Sequence, residues 1–171
     1  VSPSASHARQ LGGWGWKGRP HAVVHNGLDP KVYADPIPFE DRALNVGYWS
    51  SPDRGLHHLL RAWPEVTKRE PKARLHVFYE IKRYLGGAMN MGGPLGERAR
   101  VLSKLIAARL NDPTVTFHGA QTRFRLAQWQ RKIRVQCYPY DPPGYCEGFG
   151  TSVAQGFAAG CHVLTTQKDA F

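Results

Sequence analysis

Short apolar runs alternate with longer amphipathic segments through residues 43–171. Each run has the length of a buried strand, and the segments between the runs carry apolar residues at the spacing of a helix face. The five predicted strands are residues 43–49, 74–79, 115–119, 133–139 and 162–166. Strands that alternate with helices in this way predict an α/β fold with a doubly wound parallel sheet and right-handed crossovers.

Four segments between these strands have the pattern of helices. They are residues 56–66, 97–110, 123–132 and 151–159. Pro64 falls inside the first of them and predicts a kink or a break, because proline removes one backbone hydrogen bond from a helix. Residues 80–96 hold many glycines and both methionines of the chain, and we expect them to form an irregular loop.

The amino-terminal part of the chain follows a different pattern. Its opening run predicts a short helix, with Ser4 or Ser6 as the N-cap. A strand-like run, H-A-V-V-H, is followed by Asn26 and Gly27, a pair that predicts a tight turn. The prolines and acidic residues of residues 35–41 predict an interdomain linker.

A glycine pattern of the form G-x-G-x-x-G occurs at Gly13, Gly15 and Gly18. In dinucleotide-binding proteins this pattern follows a strand and opens a helix. Here a predicted helix precedes the pattern, and a proline with a strand-like run follows it. We therefore interpret it as a glycine-rich loop and not as a dinucleotide site.

Composition narrows the range of partners. The 171 residues have room for one medium-sized domain, or for one domain and part of a neighbour. Lys and Arg number 23 against 13 Asp and Glu, and the net charge of +10 suits an anionic partner.

Three cysteines without C-x-x-C spacing predict reduced thiols and a cytoplasmic location. No apolar run approaches the length of a membrane span, and without a D-x-D pair we expect no metal site.

The stretch from Cys146 to Gly160 carries the most informative pattern, C-E-G-F-G-T-S-V-A-Q-G-F-A-A-G. It joins the end of a predicted strand to the start of a predicted helix. Ligands bind at the carboxyl ends of strands in an open α/β sheet, and a helix start offers free N–H groups to an anion. We expect Glu147 at the lip of this crevice and Gln155 about two helical turns further along nearly the same line. Such a site suits a ligand with both hydroxyls and phosphates, for example a sugar nucleotide.

This stretch resembles the Glu-x7-Glu signature of retaining glycosyltransferases with the GT-B fold, in glycosyltransferase family 4 (glycosyl transferases group 1). The family pattern reads E-G-F-G, four variable residues and then E-A-x-A-x-G, and Gln155 stands where the second glutamate is expected. The resemblance implies that Glu147 contacts the donor sugar and that Gln155 binds the nucleotide ribose, as a neutral amide with its own donors. The segment N-G-L-D at 26–29 resembles the family segment that leads into the hinge.

The same resemblance implies roles for further positions. Arg54 corresponds to the R-G or K-G position, where a cation reaches the donor diphosphate, so Glu147 and Arg54 are the predicted catalytic residues. Many relatives carry an arginine where this chain has Tyr48, so Ser50, Ser51 or a more distant cation must compensate. Gly119 corresponds to the glycine beside the nucleotide base. The turn and the helix start are expected to contribute Gly148, Phe149, Gly150 and Thr151.

The resemblance also implies a domain organisation. Residues 1–42 would be the end of an amino-terminal acceptor domain with the interdomain linker, and residues 43–171 an incomplete nucleotide-sugar-binding domain. The chain is then expected to be a fragment truncated at both ends and inactive in isolation. The implied donor is a UDP- or GDP-sugar with no cofactor, while the acceptor, a glycan, a lipid or a small molecule, stays open. The missing amino-terminal domain is the other implied partner. Separately, the excess of basic residues suits a peripheral contact with an anionic membrane, although the sequence has no strong amphipathic anchor.

Two other hypotheses stay open at this point. A basic nucleotide- or nucleic-acid-binding domain without catalysis would explain the charge and the aromatic content. However, the basic residues are scattered and no nucleic-acid motif is present. Another enzyme of the GT-B type, such as a sugar-nucleotide epimerase or a phosphorylase, is the second alternative. A phosphorylase would also need a lysine-bound cofactor, for which the sequence offers no evident site.

Overall fold

The structure is a computed structural model that describes residues 2–15, 22–142 and 144–169. Five strands form one parallel sheet in the order β3-β2-β1-β4-β5. The strands are β1 (Asn45–Tyr48), β2 (Arg74–Val77), β3 (Val115–Phe117), β4 (Val135–Tyr138) and β5 (His162–Thr165). Each lies within one of the predicted runs, so the predicted α/β class and parallel sheet are confirmed.

β1 is the central strand of the sheet. Val46 pairs with Leu75 of β2 on one side and with Val135 of β4 on the other. The chain builds the sheet outward from β1 through β2 to β3, and then returns to add β4 and β5. The gap between the carboxyl ends of β1 and β4 is therefore a topological switch point, which is where open α/β sheets bind ligands.

The described residues contain six α-helices and two short 3₁₀-helices. The α-helices are α1 (Ala5–Gly13), α2 (Leu56–Arg69), α3 (Ile81–Ala88), α4 (Gly93–Ala107), α5 (Arg123–Gln130) and α6 (Thr151–Ala158), and the 3₁₀-helices are Pro30–Tyr33 and Pro52–Arg54. The predicted break at Pro64 does not occur, because α2 runs through it. Leu56, Leu60 and Trp63 on its apolar face are fully buried. Their burial outweighs the roughly 3 kcal/mol that an interior proline costs.

Helices cover both faces of the sheet, as a doubly wound fold requires. Successive side chains at the end of a strand point to opposite faces. Tyr48 and Val77 belong to an apolar cluster with residues of α2 and α4, whereas the residues that follow them, Trp49 and Phe78, pack in a second cluster with Ala127 of α5. The carboxyl edge of the sheet therefore lies between two packed layers.

The prediction of an irregular loop at residues 80–96 is wrong. Most of this segment forms α3 and the first turn of α4, which begins at Gly93. Ile81 and Ala88 are buried and Leu85 packs against the same core, so the three residues form one helix face. Each glycine costs a helix roughly 1 kcal/mol relative to alanine, and burial of this face offsets that cost.

α1 confirms the predicted amino-terminal helix. Ser4 is its N-cap, and the Ser4 hydroxyl accepts a hydrogen bond from the backbone N–H of His7 at 3.1 Å. The strand-like run that follows forms an isolated bridge between Ser2 and Val23 among the residues described. His21, the first residue of this run, lies outside the described residues, and so does Gly18 of the glycine pattern.

The predicted tight turn at Asn26 and Gly27 is wrong, because the chain forms no turn there. The Nδ1 atom of His25 lies 2.9 Å from the carbonyl oxygen of Pro3, and this contact fixes the backbone just before Asn26. The chain then enters the 3₁₀-helix at Pro30, and the Asp29 carboxylate caps this helix. These contacts favour a continuing chain over a reversal.

Candidate functional site

The loop after β1 carries Arg54 and is pressed against the chain that leaves β4. Gly55 has a φ of 117°, and a Cβ atom there would lie 1.8 Å from the carbonyl oxygen of Pro139. Only glycine fits this position, because any side chain would overlap the backbone of the neighbouring loop. The Arg54 carbonyl oxygen also accepts a hydrogen bond from the N–H of Asp141 at 3.3 Å. The two loops at the switch point are thus joined through their backbones.

Glu147, from the loop after β4, meets Arg54 at this junction. Its Oε2 atom lies 3.0 Å from Nη1 of Arg54, and its Oε1 atom accepts hydrogen bonds from the N–H groups of Gly150 at 2.8 Å and Phe149 at 3.3 Å. The sequence analysis expects Glu147 at the lip of the crevice, but the side chain is only 12% exposed. A guanidinium and two backbone donors draw the carboxylate inward.

Asp169 fixes the backbone of the Glu147 loop. Its Oδ2 atom accepts hydrogen bonds from the N–H of Cys146 at 3.1 Å, from the N–H of Glu147 at 3.4 Å and from the Tyr140 hydroxyl. Burial and the hydrogen bond to Asp169 raise the pKa of Tyr140. The sequence analysis did not select Asp169, and no local pattern marks it, because its role depends on contacts between distant parts of the chain.

The glycine turn before α6 contacts the amino-terminal segment. Gly150 has a φ of 83° and is the N-cap of α6, which starts at Thr151. A Cβ atom on Gly148 would lie 3.3 Å from Cγ of Pro3 and 3.4 Å from Cδ2 of His7. α1 therefore packs directly on the turn, and the sequence analysis did not foresee that His7 would lie beside Gly148.

The side chains of Phe149 and Gln155 contact residues outside the two loops that carry Arg54 and Glu147. The Phe149 ring lies 5.5 Å from the ring of His25. The Oε1 atom of Gln155 accepts a hydrogen bond from Nε2 of Gln130 at 3.4 Å, and Oε1 of Gln130 accepts one from the Tyr33 hydroxyl at 3.2 Å. Gln155 is thus held toward α5, whereas Glu147 is held toward Arg54.

A cavity of about 570 Å³ lies beyond β1, on the side of β2 and β3. Its lining residues are Trp49, Phe78, Tyr79, Glu80, Arg83, Tyr84, Ala120, Gln121 and Leu126. The volume is that of a small-molecule pocket, and the lining combines aromatic surface with a few polar groups. Gly119, with a φ of 70°, precedes two of the lining residues and itself borders a neighbouring apolar groove.

Trp49 connects the cavity to the start of α6. Its indole N–H donates a hydrogen bond to the carbonyl oxygen of Ser152 at 2.9 Å. Ser51, two residues later, caps the 3₁₀-helix that carries Arg54, and its carbonyl oxygen accepts a hydrogen bond from the buried Tyr48 hydroxyl at 2.7 Å. The structure therefore places Ser51 and Arg54 in one loop, between the cavity and the Glu147 loop.

His57, His58 and Asp141 form a cluster whose ligand-type atoms lie within 4.8 Å of one another. Asp141 also approaches Lys168 at 3.4 Å and Arg98 at 3.5 Å. Burial and the neighbouring His58 lower the pKa of His57 to about 4. Two nearby cations already balance the one carboxylate, so this cluster does not favour a metal ion.

None of the helices in the described ranges combines the length and the apolar character that a membrane crossing requires.

Comparison with known proteins identifies the family. The sequence profile of the family "Glycosyl transferases group 1" matches residues 46–171. No curated protein sequence matches the chain. Among solved structures, sucrose-phosphate synthase (tll1590) from Thermosynechococcus elongatus superimposes with a TM-score of 0.66 at 20% identity, over 97% of this chain and 40% of that protein.

Two further structures are similar. Anabaena Alr3699/HepE, in complex with UDP and glucose, superimposes with a TM-score of 0.64 at 18% identity, over 95% of this chain and 43% of that protein. The C-terminal domain of the glycosyl transferase group 1 family protein LpcC from Francisella tularensis gives a TM-score of 0.55 at 19% identity, over 85% of this chain and 73% of that one. At these identities the likeness concerns the fold, and it confirms the predicted Rossmann-like half of a GT-B glycosyltransferase. The chain spans less than half the length of sucrose-phosphate synthase and of Anabaena HepE. It belongs to the family of glycosyl transferases group 1.

Proposed function

We propose that residues 43–171 form the donor-binding domain of a retaining glycosyltransferase of family 4, and that residues 1–42 belong to its acceptor domain and linker. The proposed donor is a nucleoside-diphosphate sugar. The observation that carries the proposal is the 3.0 Å contact between Arg54 and Glu147 at the switch point, beside the start of α6. Membership of the family supports the same class of reaction.

Arg54 is proposed to stabilise the leaving diphosphate. During transfer the bond between the anomeric carbon and a phosphate oxygen breaks, and the electron pair stays on the diphosphate. A guanidinium can donate two N–H groups to phosphate oxygens, and a fixed donor that meets developing charge lowers the barrier. The side chain is 27% exposed, so Glu147 does not occupy the whole fork. The N–H groups at the start of α6 would add to this anion site.

Glu147 is proposed to accept hydrogen bonds from hydroxyls of the donor sugar. Its carboxylate lies between Arg54 and the glycine turn, so a sugar bound there would have its anomeric carbon next to the leaving phosphate. The acceptor oxygen would form the new bond on the face that the diphosphate leaves, while its hydroxyl proton passes to an oxygen of the leaving diphosphate, and the anomeric configuration is retained.

The base and the ribose are proposed to occupy the cavity beyond Trp49. Trp49 and Tyr84 offer aromatic surface for stacking, and Gln121 offers an amide for hydrogen bonds. Gln155, which follows the helix start, is proposed to reach the ribose. Two of the similar proteins support a nucleotide ligand: Anabaena HepE holds UDP or UDP-glucose, and TarM of S. aureus holds UDP.

Calorimetric titration of this chain with UDP, GDP and ADP tests the proposal. We expect one nucleoside diphosphate to bind with a dissociation constant between micromolar and millimolar. Arg54→Ala should weaken this binding by about tenfold or more, because charge-assisted hydrogen bonds contribute roughly 1.5–3 kcal/mol each. Arg69→Ala is the matched control, since Arg69 is 80% exposed and, among the described residues, pairs only with Glu65 on α2. Absence of binding by all three nucleotides would contradict the proposal.

A further inference from the structure

Arg98 lies on α4, outside the candidate site, and touches both loops of the switch point. We propose that Arg98 is a positioning residue that holds the Arg54 loop against the Glu147 loop in the geometry needed to bind a diphosphate. The inference rests on the proposed function, because it uses nucleotide binding as the readout.

The contacts of the Arg98 guanidinium come from two loops. Its Nη1 atom donates a hydrogen bond to the carbonyl oxygen of Asp53 at 2.9 Å and another to the carbonyl oxygen of Asp141. Its Nη2 atom lies 3.5 Å from Oδ2 of Asp141. Asp53 immediately precedes Arg54, and Asp141 belongs to the chain that leads from β4 to Glu147. The side chain is 19% exposed, so these bonds form away from bulk water.

The geometry requires a guanidinium and not merely a positive charge. One planar group binds two carbonyl oxygens from different loops and a carboxylate, and arginine holds several donors in a fixed fork. Asp141 also pairs with His58 at 3.1 Å and Lys168 at 3.4 Å. Its charge therefore keeps partners without Arg98. Arg98 also supplies the bonds to the carbonyl oxygens of Asp53 and Asp141, and the first of these fixes the position of the next residue, Arg54.

Loss of Arg98 would leave the Arg54 turn with fewer anchors. The contacts that remain include the bond from the N–H of Asp141 to the Arg54 carbonyl oxygen, the bond from the Tyr48 hydroxyl to the Ser51 carbonyl oxygen, and the ion pair of Arg54 with Glu147. Arg54 would then sample positions away from Glu147. The cavity beyond Trp49 should be less affected, because Trp49 is the one lining residue that belongs to these loops and its indole is held separately by the carbonyl oxygen of Ser152. The predicted effect is therefore confined to the phosphate furthest from the base.

Titration with diphosphate and monophosphate pairs isolates this effect. We would measure UDP with UMP, GDP with GMP and ADP with AMP on the wild-type chain, Arg98→Lys and Arg98→Ala, with Arg69→Lys and Arg69→Ala as surface controls. In the wild type the second phosphate should strengthen binding. Both Arg98 variants should reduce diphosphate affinity about tenfold and leave monophosphate affinity within about twofold, because a lysine cannot reproduce the fork. Both Arg69 controls should keep the wild-type ratio.

The outcomes separate the inference from the proposed function. If the wild type binds none of the six nucleotides, the proposed function fails and the inference fails with it. If the wild type binds and the Arg98 variants keep the wild-type ratio of diphosphate to monophosphate affinity, only the inference is overturned. An equal loss of both affinities would also overturn it, because that result indicates a general structural role. Thermal unfolding shows whether each variant is folded. If Arg98→Ala does not fold, Arg98→Lys provides the test.

Discussion

The two sides of β1 differ although both lie at the carboxyl edge of the sheet. On the β4 side, Glu147 is buried and its two oxygens bind Arg54 and two backbone N–H groups. On the β2 side, Glu80 is exposed at the mouth of the cavity, and its carboxylate has no hydrogen bond or ion pair among the described residues. The difference arises because the loop after β1 supplies Arg54 to Glu147 at the switch point, whereas Glu80 has no such cation paired with it among the described residues.

The largest expected effect is a contrast between these two acids. Glu147→Gln should lower the unfolding free energy by about 2–4 kcal/mol, because it leaves Arg54 without its charged partner. It should also lower kcat of a complete enzyme by about 100-fold or more. Glu80→Gln, as the matched control, should change the unfolding free energy by less than about 0.5 kcal/mol. Urea unfolding measures the first quantity, and equal effects of the two changes would remove the distinction.

A second contrast uses two glycines, one on each side of β1. Gly55→Ala should destabilise the fold by about 2–3 kcal/mol, because its φ of 117° is strained for alanine and the new Cβ atom would overlap Pro139. Gly86 lies within α3 with nothing within 4 Å of the added Cβ atom. Gly86→Ala should therefore stabilise the fold by about 0.5–1 kcal/mol. Thermal unfolding of both variants gives the comparison, and a destabilised Gly86→Ala would contradict the helical assignment of this segment.

The smallest effect concerns pH and the β2 side. His76 lies among stacked rings that include Phe78 and His118, and burial together with His118 lowers the pKa of His76 to about 4. A histidine in the unfolded chain titrates near 6.5, so the stability from neutral His76 is complete above about pH 6.5. It is lost as the pH falls toward 4, and we expect about 1–2 kcal/mol from this residue.

Urea unfolding between pH 7 and pH 4 measures this loss. His76→Asn should reduce the pH dependence of the unfolding free energy. His162→Gln, at an exposed position on β5, serves as the control and should leave it unchanged. An unaltered pH dependence in His76→Asn would show that His76 binds its proton equally well in the folded and unfolded states, which would contradict the prediction.

Much of the fold could be predicted from the sequence because its signals are local. Each strand is a short apolar run, and the burial of Leu75 and Val77 follows from that pattern alone. The sequence does not predict α3, because its glycines favour a loop, although Ile81 and Ala88 lie on one buried face of the helix. The Asn26 turn was predicted from a dipeptide preference, and contacts with a distant part of the chain overrode that preference.

The site could be predicted only in part. The E-G-F-G motif and the residue types after β1 selected Glu147 and Arg54 separately, and the structure places them in contact. Arg98 and Asp169 escaped prediction because each acts through backbone groups far away in the sequence. Almost every residue type offers a backbone carbonyl and N–H group, so the sequence does not show which backbone groups a distant side chain will bind.

Gly148 sets the distance between α1 and the turn that carries Glu147. With no side chain at this position, Pro3 and His7 come within van der Waals reach of the turn. A larger residue here would act as a spacer and move α1 outward by about the width of a methyl group. Gly148 thus sets how closely α1 packs on the turn, so a substitution here is expected to shift α1 relative to Glu147 without altering a single charged group.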